Sequence, residues 1–137
     1  MSTAGCKPGN STFVGYKVKA NAAIVKGVGV FFSDDEEVDV AVANSKVIGI
    51  AAQTVTGNAA GTSRVEVQLC DGGTARVKVS SGGATRGEYA VAGTDGFEDQ
   101  TIGSGSTVKY IAGQFLESGV DGDFVEMRLG AFAAGAA

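Results

Sequence analysis

Apolar and polar residues alternate along much of this chain. Val38-Asp39-Val40-Ala41-Val42, Val65-Glu66-Val67-Gln68-Leu69, Ala75-Arg76-Val77-Lys78-Val79 and Phe124-Val125-Glu126-Met127-Arg128-Leu129 are largely two-residue repeats. Such a period puts apolar side chains on one face of a strand and polar ones on the other. A strand with one wet face belongs in an antiparallel sheet or barrel more naturally than in a parallel one. Val47-Ile48-Gly49-Ile50-Ala51 and Lys109-Tyr110-Ile111-Ala112-Gly113 are more continuously apolar and read as central strands. Turn signals separate the runs: Asp71-Gly72-Gly73, Ser81-Gly82-Gly83, Thr94-Asp95-Gly96 and Asp121-Gly122-Asp123. Because Asp71-Gly72-Gly73 lies between two alternating runs, it predicts a hairpin. Only 20–26 and 53–60 are candidates for a turn or two of helix.

The same order of events occurs twice. Lys26-Gly27 recurs as Arg86-Gly87, and Val65-Glu66-Val67-Gln68-Leu69 recurs as Val125-Glu126-Met127-Arg128-Leu129, both pairs 60 residues apart. Between them, Val47-Ile48-Gly49-Ile50 matches Tyr110-Ile111-Ala112-Gly113 with a further shift of about four residues. Two copies of one β unit in a single sandwich or barrel account for this most simply. The expected organisation is an extended N-terminal arm over 1–19, a compact antiparallel all-β domain over 20–130, and a flexible small-residue tail over 131–137. The two copies fall at about 24–70 and 84–130.

Composition agrees with a β reading. The 137 residues include 22 glycines and one proline, which favours short strands joined by tight turns. That length suffices to bury a core without metals or disulfides. Cys6 and Cys70 read as two unpaired thiols of a protein made in a reducing cytoplasm, the alternative being a disulfide that pins the arm. No apolar run is long enough for a membrane helix. The first residues lack the apolar core of a signal peptide, so Sec export is not expected. Charge is uneven: the first 33 residues carry +4 and the rest −8, for a net of −4. Four lysines without an arginine are too sparse to point to nucleic acid. Lys7, Lys17 and Lys19, with Phe13 and Tyr16, instead mark the arm as a candidate contact with an acidic surface or a larger partner. The alternatives are a merely solvated arm and, for Phe13 and Tyr16, the core of the first strand. Phe132, an aromatic in the small-residue tail, is a second candidate contact, packing back on its own domain being the other possibility. Phe31, Phe32, Phe97, Phe115 and Phe124 read as core.

Little in the chain supports catalysis. The sequence has no histidine, which removes the commonest general base and zinc ligand together with Ser-His-Asp and Cys-His arrangements. No P-loop or dinucleotide fingerprint occurs. Asp34-Asp35-Glu36-Glu37 and Asp121-Gly122-Asp123 lack calcium-loop spacing and read as solvated acidic turns. No catalytic, cofactor-binding or metal-binding residue is therefore assigned, and no cofactor is expected.

From about Ala20 to Gly130 the chain resembles the capsid cement, or head decoration, proteins of tailed bacteriophages. The residues that carry the likeness are Lys26-Gly27-Val28-Gly29-Val30, Val47-Ile48-Gly49-Ile50-Ala51, Ala84-Thr85-Arg86-Gly87-Glu88-Tyr89-Ala90-Val91 and the stretch from Ile111 to Leu129. The resemblance implies a homotrimeric β domain on the exterior of an expanded head. There it would clamp neighbouring major capsid subunits, with no direct contact to nucleic acid or membrane. Synthesis would be in the host cytoplasm. A head-fibre or adhesion module binding a host glycan or receptor is the alternative.

Overall fold

The computed structural model describes residues 12–137, and its regular structure is all β. The first unit contains β1 (Phe13–Val18), β2 (Ala23–Ile24), β3 (Gly29–Asp34), β4 (Glu37–Val40), β5 (Gly49–Ala51), β6 (Val55–Thr56) and β7 (Arg64–Leu69). The second contains β8 (Thr74–Lys78), β9 (Tyr89–Gly93), β10 (Gly96–Gln100), β11 (Ile102–Phe115) and β12 (Phe124–Ala136). Strands β1-β4-β3-β5-β7 form a closed barrel, with β7 returning to β1. Strands β10-β9-β11-β12-β8 form an open sheet of the same connectivity. Each strand of the second unit has a counterpart in the first: β1 and β8, β3 and β9, β4 and β10, β5 and β11, β7 and β12; β2 and β6 form a separate two-stranded sheet.

This equivalence extends to individual hydrogen bonds. Gly49 stands opposite Val30 and Leu69, and Gly113 stands opposite Ala90 and Leu129. The outer partners are 60 apart while the glycines are 64 apart, which is the shift visible in the sequence. The Lys26 amide donates to Thr54 Oγ1 at 3.0 Å, and the Arg86 amide to Ser118 Oγ at 3.0 Å. Gly27 and Gly87, which follow them, have φ of 95° and 92°. An L side chain is strained there, so both units enter their first hairpin through glycine.

The units differ in closure. In the first, β1 runs parallel to β4 through Lys17↔Glu37 and Val18↔Val38. In the second, the corresponding contact is a single parallel bridge, Val79↔Phe97. The second unit instead extends β11 and the end of β12 into a two-stranded ribbon, with Ile111 opposite Phe132 and Ile102 opposite Ala136.

Alternation decides what is inside. Val18, Val30, Val38, Ala51, Val65 and Val67 fill the first barrel. Val77, Val79, Phe97, Phe115, Val125 and Met127 pack inside the second unit. That second cluster also takes in Ala41, Val47, Ile50 and Cys70 from the first unit, so the interface between units is part of a continuous core. Strand β5 is buried on both faces, Ala51 toward its own barrel and Ile50 toward the neighbouring unit. A β-carbon on Gly29 would come within 2.8 Å of the Phe97 ring, so this glycine lets the units approach closely.

Several local expectations change. The hairpin predicted at Asp71-Gly72-Gly73 is a link between units, because β7 already has β1 and β5 on its two edges and β8 pairs with β12. The segments 20–26 and 53–60 contain β2 and β6, which pair with each other (Ala23↔Thr56, Ile24↔Val55) rather than coiling. The last part of the expected arm is strand β1 of the barrel. The small-residue tail continues β12 to Ala136. Phe97 and Phe115 are fully buried, but Phe32 and Phe124 are 47% and 45% exposed.

Candidate partner-binding surfaces

Among the described residues, no three His, Cys, Asp or Glu side chains gather as a metal site. Cys70 is buried with a free thiol, pushed up to about 12 first by burial and then by the nearby Asp71 carboxylate. Such a thiol is inert at neutral pH. Asp71 is held below its ordinary value chiefly by the hydrogen bond it accepts from the Thr12 side chain, the Thr12 amide donating to it as well. Cys6 and Lys7 lie outside the described residues.

Strand β1 divides the candidate arm residues between two faces. Val14, Tyr16 and Val18 turn toward the barrel, where Tyr16 packs at the margin of the core. The Tyr16 ring meets Phe32 edge to face at 5.2 Å. Phe13, Lys17 and Lys19 turn outward, with Phe13 51% exposed and both lysines exposed. Lys19 Nζ stands 3.7 Å from Asp39. A partly exposed, screened pair of this kind contributes little to stability.

The register between β1 and β7 brings Arg64 directly opposite Lys17. Two cations facing each other across a strand pair are unfavourable for folding. Here the Arg64 guanidinium folds back and donates to the Gly15 carbonyl at 2.9 Å. Lys17, Lys19 and Arg64 therefore form a basic stripe beside Phe13. Arg64 carried no signal for this in the sequence, because it lies 47 residues from Lys17 and only the pairing register unites them.

Phe132 sits on the opposite unit and is 43% exposed. Its ring meets Tyr89 edge to face at 5.5 Å, so the tail aromatic packs on its own domain along one edge and presents the other to solvent. It forms a ridge between two shallow grooves. One, of about 370 Å³, is lined by Lys46, Val47, Tyr110 and Ile111, with Lys46 Nζ 5.9 Å from the Tyr110 ring centre. The other, of about 330 Å³, is lined by Tyr89, Gln114 and Arg128. Phe13 and Phe132 belong to different units.

These features define an all-β protein of two topologically equivalent units, whose distinctive residues lie on open surfaces rather than in a cleft. No family model matches the chain, and no curated protein matches it. Among solved structures, it is similar to the N base of the head fiber gp8.5 of bacteriophage phi29. The TM-score is 0.62 at 18% sequence identity, covering 86% of this chain and 94% of that one. At that identity the likeness establishes a common fold.

Proposed function

We propose that this chain is a structural, non-catalytic protein of a phage virion, attached to the outside of the head. The observation that carries this reading is the fold held in common with a phage head-fibre base across nearly the whole of both chains. The sequence features that resemble head decoration proteins are consistent with it. In the finer form of the proposal, a homotrimer binds the major capsid protein and clamps neighbouring subunits of the expanded head. Phe13, Lys17 and Lys19, together with Arg64, then supply a contact face continuous with the segment that precedes it. Repetition over a symmetric shell turns modest contacts into high avidity.

A second reading is favoured by the fibre origin of the structural neighbour: the same module serves as the foot of a projecting fibre or adhesin. Cryo-electron microscopy of decorated heads separates the two, since a clamp lies across capsomer junctions and a foot supports a projection. Co-sedimentation with purified expanded heads tests the common element. Full-length protein is expected to pellet with heads. The chain lacking residues 1–12 is expected to remain folded and to pellet less. No pelleting of the full-length chain overturns head binding, and undiminished pelleting of the shortened chain overturns the role of the arm.

A further inference from the structure

Where two units share a topology, their differences show what one surface carries beyond folding. The β9–β10 turn bears Asp95, and Lys78 neutralises it at 2.7 Å. The equivalent β3–β4 turn bears Asp34, Asp35, Glu36 and, as its closing pair, Glu37. Lys17, the counterpart of Lys78, forms no ion pair with it among the described residues. Asp34, Asp35 and Glu36 are exposed, and beside them the exposed Phe32 and the half-buried Tyr16 line an apolar cleft of about 310 Å³. This hairpin end is therefore acidic and aromatic.

The opposite end of the same barrel has the complementary character. Val25, Lys26, Thr54, Arg76 and Phe124 line an open, mainly apolar groove of about 320 Å³. Phe124 and Val25 are exposed there, and Lys26 makes no ion pair among the described residues. Phe124 is held in place by a bare backbone: a β-carbon on Gly27 would come within 2.8 Å of its ring. Arg76 is fixed by Glu117 at 3.3 Å and by the Phe124 carbonyl at 2.7 Å. In the first unit, Phe124 is replaced by its counterpart Arg64, so this aromatic wall exists only once. Lys26 precedes β3 and the acidic turn follows it, so the two surfaces are separated by the strand's length, roughly 20 Å at about 3.3 Å per residue.

We propose that these surfaces meet between copies of this chain, the acidic turn and Phe32 of one docking in the Val25–Lys26–Phe124 groove of the next. Because the two patches differ, the contact is head-to-tail, which closes a ring when its rotation allows and otherwise runs on as a filament; the homotrimer requires the closed form. The apolar groove supplies buried area, and the charges set partner and register. This inference rests on the homotrimer in the reading above and names the surfaces that build it.

Reciprocal charge reversal, read by sedimentation velocity and light scattering, tests the pairing. The wild-type chain is expected at three times its 13.7 kDa mass, dissociating as ionic strength rises. Asp35→Lys with Glu36→Lys cancels the net charge of −4. General repulsion would then fall and association would strengthen. Specific docking predicts the reverse, a weakening of about tenfold or more. Lys26→Glu is expected to weaken association likewise, and mixing it with the turn variant is expected to restore hetero-assembly. Thermal melts confirm that each variant is folded; if the turn variant does not fold, Asp35→Asn replaces it, with weaker association expected. A monomeric wild type, or single-side reversals that leave assembly unchanged, would overturn the inference. Head co-sedimentation is scored separately: a monomer that still pellets refutes this interface alone, and a trimer that does not pellet refutes head binding alone.

Discussion

Two glycines illustrate how much of this fold depends on single positions. Gly49 and Gly113 occupy equivalent places at the centre of each unit, facing Leu69 and Leu129 across the ladder. A β-carbon on Gly49 would collide with the Gln68 carbonyl, and one on Gly113 with the Arg128 carbonyl. The obstacle in each case is backbone, which cannot swing aside as a flexible side chain can. Gly49→Ala and Gly113→Ala are each expected to destabilise by about 1–3 kcal/mol, the usual cost of overpacking. Urea denaturation checks this, and a change below about 0.5 kcal/mol in both would show that the carbonyls give way. The pair was legible beforehand only as a glycine in an apolar strand. What it meets became visible once the register did.

At the scale of elements, β1 is the informative strand. Its alternation is short, contains Gly15 and Lys17 and is followed by Lys19, so along the sequence it blends into a polar arm. In the fold it pairs with β7 over five residues and closes the barrel against β4. Val18 contributes a fully buried side chain to the first core. Removing residues 1–12 is therefore expected to leave the thermal transition within a few degrees of the full-length value. Removal through Val18 is expected to abolish the folded first unit, because β7 and β4 would each expose an unpaired edge. Circular dichroism with limited proteolysis distinguishes these outcomes; a stable, protease-resistant product without β1 would mean that the barrel closes another way. The end of β12 was similarly hidden. Ala133, Ala134 and Gly135 have no amphipathic pattern, and they are ordered by pairing with β11, a constraint that comes from about 23 to 32 residues earlier in the chain.

For the whole molecule, the duplicated topology does not produce two independent domains. Ala41, Val47, Ile50 and Cys70 of the first unit are buried in the cluster that forms the core of the second. An isolated piece covering residues 12–70 would expose these side chains, at about 25 cal/mol for each Å² of apolar surface returned to water. The full chain is expected to unfold in one cooperative transition, with calorimetric and van't Hoff enthalpies in agreement. Two resolved transitions would show that the interface between units adds little.

Much of this design can be read directly from the order of residues. A two-residue period forces one face of each strand inward, so the all-β class follows from side-chain geometry alone. The 60-residue recurrence identifies two units because equivalent strands need equivalent inward residues, as with Val65 and Val67 against Val125 and Met127. The expected hairpin at Asp71-Gly72-Gly73 failed for a physical reason: local turn chemistry permits a reversal but cannot say which strand edges are already occupied. Pairing between distant strands settled that question. The same long-range pairing placed Arg64 beside Lys17, set Phe124 against Gly27, and joined the two cores through Ile50. The sequence by itself determined the faces of the strands and their repetition; only the tertiary structure decided which edges pair, and therefore which charges and rings share a surface.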